Sequence, residues 1–103
     1  MFRISACYGE PTDTNAFDVY YTKTHVPLAL KLPGLKEFTT GKCQSLTPGE
    51  PPAYYMIASL TFDSSEALLE ALNSPEMAAA VADVPNFATG GLSLYTTEEI
   101  SRM

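Results

Sequence analysis

The sequence predicts an α+β fold, a ferredoxin-like β-α-β-β-α(α)-β chain forming a four-stranded antiparallel sheet. Three observations carry that expectation. Stretches of alternating or uniformly apolar residues at Phe2–Tyr8, Tyr54–Phe62 and Phe87–Thr97 read as strands. Amphipathic stretches with capping residues and terminal prolines or glycines lie between them and read as helices. The order of these elements fits a split β-α-β arrangement with right-handed crossovers and strand order 4-1-3-2. At 103 residues the chain is expected to be one domain, 1–103, with one modest core.

In the first strand Phe2, Ile4, Ala6 and Tyr8 alternate with Arg3, Ser5 and Cys7, and Gly9, Glu10 and Pro11 stop it. Asp13 to Asn15 supply candidate N-caps for a first helix, with Asp18 placed favourably toward the positive end of its dipole. At helical pitch Phe17, Tyr21, Leu28 and Leu32 share one stripe, with His25, the only histidine, at its edge. Pro27 removes an N–H in mid-helix and disfavours helical geometry at Val26, which predicts a kink just after His25. Pro33 and Gly34 end the helix.

Leu35–Leu46 is threonine-rich and predicts a second strand, interrupted at Gly41. The proline-rich stretch Thr47–Ala53 predicts a connection outside the sheet. After the uncharged third strand, Asp63 with Glu66 three residues on predicts a capping box opening a helix. Leu68, Leu69 and Leu72 form its core face and Asn73 closes it. Ser74-Pro75 starts a further helix, with Met77, Ala80, Val81 and Val84 turned inward, and Pro85-Asn86 ends it. The last strand carries Gly90-Gly91, readable as a β-bulge or as a place where backbone approaches a ligand or a second chain. The tail from Glu98 to Met103 is polar and reads as frayed.

Composition excludes several classes of function. The net charge is −6, and the six basic residues are scattered without a stripe able to neutralise phosphates, so no nucleic-acid partner is expected. No apolar run approaches the ~20 residues that cross a bilayer, and the first residues read as strand rather than signal peptide, so a cytoplasmic protein with no membrane partner is expected. Cys7 and Cys43 fall two strands apart, roughly 9.6 Å at ~4.8 Å per strand, beyond disulfide reach, and read as free thiols. One histidine gives no metal-ligand cluster, and no phosphate loop or serine-nucleophile elbow is present. No cofactor is implied; the absence of tryptophan also removes a stacking residue expected of a haem-degrading barrel. The third and fourth strands carry no charge in Tyr54–Phe62 and Phe87–Thr97. A sheet so uncharged on its uncovered face would be an association site, which predicts a homodimer packed sheet to sheet.

Phe17, Asp18, Tyr20 and Tyr21, then His25 with Pro27-Leu28, then Leu32-Pro33-Gly34-Leu35, together with Gly90-Gly91 near the end, make a pattern that resembles the ethyl tert-butyl ether degradation (EthD) family of dimeric α/β-barrel proteins. The resemblance implies a ferredoxin-like monomer, a face-to-face sheet dimer, a small apolar pocket between helices and sheet, and an association with oxidative breakdown of small organic molecules.

Within such a pocket His25 and Tyr21 are the candidate catalytic residues, and Phe17, Leu28, Tyr8 and Tyr54 the candidate ligand-binding ones. An imidazole among apolar neighbours tends to stay neutral and able to take a proton near pH 7; its structural reading is a core histidine tied to carbonyls or tyrosine hydroxyls. Tyr8, Tyr54, Tyr55 and Tyr95 read more readily as packing residues with hydroxyls at the rim than as pocket walls. Asp18 lies two turns from His25, which favours capping over an orienting role. Three functions follow: a cofactor-free oxidoreductase or proton-transfer enzyme acting on a small apolar molecule such as an activated ketone or phenol; an auxiliary protein holding a hydrophobic intermediate for a separate oxygenase; or an assembly module recruiting partners through its sheet.

Overall fold

The computed structural model describes residues 1–103. The elements are β1 (Phe2–Tyr8), α1 (Thr14–Tyr20), a π-helical turn (Tyr21–His25), α2 (Val26–Ala29), β2 (Glu37–Lys42), β3 (Met56–Phe62), α3 (Ser65–Leu72), α4 (Pro75–Asp83), a 3-10 turn (Val84–Asn86) and β4 (Leu92–Glu98). The strands form one antiparallel sheet in the order β2-β3-β1-β4, the expected order read from the opposite edge. No helix is long and apolar enough to cross a membrane.

The helices lie on one face of the sheet, which turns Ile4, Ala6, Tyr8, Ala58, Leu60 and Phe62 toward them; all are buried. Two apolar clusters result. One gathers Leu32, Leu68 and Ala71 over Ile4 and Phe62, and the other is aromatic, built from Tyr8, Phe17, Tyr21 and Phe87. The molecule is 17 Å through its thinnest direction, which leaves room for a sheet and one helical layer. The opposite sheet face is therefore open. It is more polar than the sequence suggests, carrying Ser5, Ser59, Thr39, Thr61, Ser93 and Thr97, with Arg3 and Glu37 aligned on Thr61 at one end. Arg3 Nε and the Thr61 hydroxyl on that face are buried without a hydrogen-bond partner. Both cysteines are free.

Several boundaries differ from expectation for identifiable reasons. β2 runs through Gly41, which pairs with Ile57, so the glycine does not interrupt the ladder. β3 begins at Met56 rather than Tyr54. Tyr55 turns toward the helices, where its ring meets Phe17 edge-on at 5.4 Å and its hydroxyl donates to Asp18 at 2.9 Å. α3 is capped by Ser64, which accepts from Ala67 N–H at 3.1 Å, whereas Asp63 pairs with Lys36 at 3.3 Å. Asp13 caps α1 and Ser74 caps α4, each accepting from the N–H three residues on.

β4 starts at Leu92, because Phe87 is drawn into the aromatic cluster and the chain must turn before pairing. Gly90-Gly91 makes that turn and forms no bulge. A Cβ on Gly90 would strike the Glu10 carbonyl, and one on Gly9 would strike the Gly90 carbonyl, while Gly9 N–H donates to the Gly91 carbonyl at 3.0 Å. The close approach of this glycine pair is thus to the end of its own first strand. Gly90→Ala is expected to lower the unfolding free energy by about 2 kcal/mol through this backbone clash. Gly41→Ala, which meets nothing within 4 Å, serves as the control in the same urea titrations.

Candidate functional site

The first helical segment widens into a π-helical turn just ahead of Pro27. Tyr21–His25 form a π-helical turn in which Val26 N–H donates to the Tyr21 carbonyl, five residues back, and Pro27 enters as an early residue of α2, where a missing N–H matters least. The extra residue in the turn rotates the following side chains. Phe17, Tyr21, His25, Ala29 and Leu32 now form the buried stripe, and His25 lies in its middle rather than at its edge. Leu28, half-buried, is displaced from it.

His25 is 6% exposed and sits between two rings, Phe87 at 4.7 Å and Tyr21 at 5.3 Å between centroids. Its Nδ1 meets Asp83 Oδ2 at 3.0 Å, and both side chains are 8% exposed. Asp83 is the last residue of α4. Its other oxygen accepts from the Tyr20 hydroxyl at 2.5 Å and from the Asn86 amide at 3.1 Å. Burial alone would raise the pKa of this carboxyl; the hydrogen bonds from Tyr20, Asn86 and His25 outweigh it and hold the group below the usual aspartate range. An ionised carboxylate only accepts, so the imidazole beside it donates through a proton on Nδ1. The contact with Asp83 uses Nδ1 alone, so Nε2 is the ring nitrogen left for a ligand.

His25 lines an apolar cleft between helices and sheet whose empty space, counting its open mouth, is about 490 Å³. Ala29, Leu32, Ala58, Leu60 and Val84 form much of its wall, and Tyr8 and Tyr21 bring phenols to it. Burial pushes the Tyr8 phenol up to about 12, with Asp83 adding to the shift and Tyr21 opposing it. Burial, then the neighbouring Tyr8, drives Tyr21 higher still. Both phenols are therefore protonated donors at neutral pH. Val81 on α4 and Leu94 on β4 also line the cleft, each about half exposed.

Of the residues singled out in the sequence, Tyr8, Tyr21 and His25 line this cleft. Phe17 stacks on Tyr21 behind it, at 5.7 Å, and borders a second recess with Tyr20 and Asn86. Leu28 is not in the lining; Ala29 holds the helix position there. Tyr54 is absent from it too, its hydroxyl close enough to Tyr95 to raise that phenol's pKa. Asp18 neither caps α1 nor orients His25, but bonds Lys42 at 2.8 Å and Tyr55. Asp83 was not singled out, although Ala80, Asp83, Val84 and Phe87 follow helical spacing and place one carboxylate on an otherwise apolar inward face. No group of three His, Cys, Asp or Glu side chains is arranged to hold a metal.

The fold and this cleft define a ferredoxin-like protein with one buried histidine–aspartate pair facing an apolar cavity. The EthD domain model matches residues 9–91. The chain belongs to the EthD family. It is 44% identical over 99 residues to an uncharacterized 11.0 kDa protein in the thcB-thcC intergenic region of Rhodococcus erythropolis, covering 96% of this chain and 95% of that one. It superimposes with a TM-score of 0.87 on an EthD family protein from Bacillus halodurans, at 32% identity and covering 97% of this chain and 99% of that one. A dimeric ferredoxin-like protein of unknown function from Thermobifida fusca shares the fold with a TM-score of 0.67 at 18% identity, covering 93% and 88% of the two chains.

Asp83→Asn is expected to shift the His25 proton from Nδ1 toward Nε2, read by ¹⁵N NMR of the single histidine. The same variant should lose about 2 kcal/mol of stability at pH 7. Because the folded carboxyl titrates below its unfolded value, the wild-type advantage is complete above about pH 3.9 and disappears as pH falls through the folded value, so the two unfolding curves converge in acid.

Proposed function

We propose that this protein binds a small, largely apolar organic molecule in the cleft and moves a proton on it with His25, in the service of oxidative degradation. The observation that carries this reading is the pairing of Nδ1 with the Asp83 carboxylate, which leaves a neutral nitrogen base facing an otherwise apolar space. Asp83 stabilises the imidazolium formed when Nε2 takes a proton, and Tyr20 and Asn86 hold the carboxylate so that Oδ2 stays on the ring. Tyr8, protonated, can donate to an oxygen of the bound molecule as charge develops on it. The base needs no cofactor for this step; an oxygenase acting before or after it is the partner this chemistry suits. Membership of a family named for ether degradation supports the metabolic setting.

The proposal includes a homodimer formed by the open sheet faces. Its supports are the single helical layer and an open sheet face on which Ser5, Cys7, Ile57, Ser59, Ser93 and Tyr95 carry no charge. The dimeric description of the Thermobifida fusca protein is in line with it.

Native mass spectrometry of freshly purified protein should give the mass of two chains, with any retained molecule read in the same spectrum; a monomer at micromolar concentration would sink the dimer. Catalysis is tested by exchange of the methylene protons of benzoylacetone, an uncharged one-ring enol, in D₂O. His25→Ala should slow the protein-catalysed exchange by about a hundredfold or more. Equal exchange by the two proteins would remove His25 as base, and binding without exchange in either would favour a holding role for an oxygenase.

A further inference from the structure

We infer that the cleft selects uncharged one-ring molecules carrying a single weakly acidic hydroxyl, a phenol or an enol, and rejects the same skeleton when it bears a carboxylate. This rests on the reading of the cleft as a ligand pocket and names the class of ligand it takes.

The acceptor comes first. With Nδ1 committed to Asp83, the imidazole presents a lone pair on Nε2, so the complementary ligand atom must bring a hydrogen. Of the two tyrosine hydroxyls on the same wall, Tyr21 donates to Tyr8, which leaves the Tyr8 hydroxyl as a donor that calls for an acceptor. A hydroxyl group offers both on one atom; an ether offers only the acceptor and would leave the imidazole nitrogen desolvated and unpaired. Rejection of analogues that lack a hydrogen-bonding group is the strong form of discrimination available to a pocket, because the site's own polar atom is left stranded.

Charge gives the second half. Neither lysine nor arginine lines the cleft. Behind His25 stands the ionised Asp83, and the chain as a whole carries −6. A carboxylate entering would be stripped of water against an apolar wall, with a negative group of the protein on the far side of the ring and no cation to meet it. A neutral hydroxyl avoids this on entry. When its proton then moves to Nε2, the O–H bond breaks as the N–H bond forms, and the products are an oxyanion against an imidazolium, itself held by Asp83. The negative charge appears only where a positive one appears beside it.

Size sets the third limit. The space of about 490 Å³ includes open solvent, and the room inside the cleft is about 60 Å³, below the range of about 300–1,000 Å³ found for ligand pockets. Nothing larger than one ring has a place there, and that ring lies partly in the open part of the cleft.

The test compares 4-ethylphenol, 4-ethylanisole and 4-ethylbenzoate at pH 7.5, where the phenol is neutral and the benzoate ionised, titrated into wild-type protein with ¹⁵N NMR of His25 as the readout. The phenol is expected to bind at least tenfold tighter than either analogue and to move the Nε2 resonance, with Nδ1 keeping its proton. In His25→Leu that preference over the anisole should vanish. An anisole or benzoate that perturbs His25 and binds as tightly as the phenol overturns the selectivity but leaves a pocket. If none of the three binds or moves His25 up to 10 mM, the pocket reading fails and the selectivity with it.

Discussion

A charge in the helical layer must be held from several sides at once, and the Asp83 carboxylate is the place where this protein meets that demand. It closes α4, is almost wholly buried, and takes donors from Tyr20 and His25 on the first helical segment and from Asn86 just beyond its own helix. Loss of any donor leaves part of an anion unsolvated, a cost larger than that of breaking a surface contact. The first helical segment and α4 are therefore set relative to one another by directional bonds, where apolar packing alone would tolerate sliding. The aromatic cluster of Tyr8, Phe17, Tyr21 and Phe87 fills the space around those bonds and fixes the plane of the imidazole.

The same pair explains why one histidine suffices. An isolated imidazole in an apolar wall would be free to choose which nitrogen carries its proton. Here the carboxylate makes that choice, and the ring it holds lines the cleft.

Much of this was legible in the sequence and some was not, for physical reasons that differ by element. β1 and the caps at Asp13 and Ser74 could be read because they depend on local alternation and on side chains bonding three residues away. The sheet order followed from the sequence of elements. The start of β4 was missed because Phe87 answers to the tertiary pull of the aromatic cluster, not to its own strand propensity. The swap of capping role from Asp63 to Ser64 turns on a one-residue offset, with Lys36 offering the aspartate another partner. At the site, Tyr8, Tyr21 and His25 were legible as polar tips on an apolar stripe. Asp83 was not singled out, since its partners lie 58 and 63 residues away in the chain and only folding brings them together. Its position on an inward helical face was nevertheless a visible clue.

The π-helical turn has a consequence for how this family can vary. A residue added or removed within Tyr21–His25 would turn everything beyond it by about 100° around the axis, carrying the imidazole off the carboxylate and the cleft together. Substitutions there are a question of packing, whereas changes of length are a question of direction. The stretch between β2 and β3 bears no such burden, because Leu46 to Ala53 are exposed and lie outside the sheet. Relatives that keep this histidine in use are thus free to lengthen or shorten that connection, but must count residues strictly in the first helical segment.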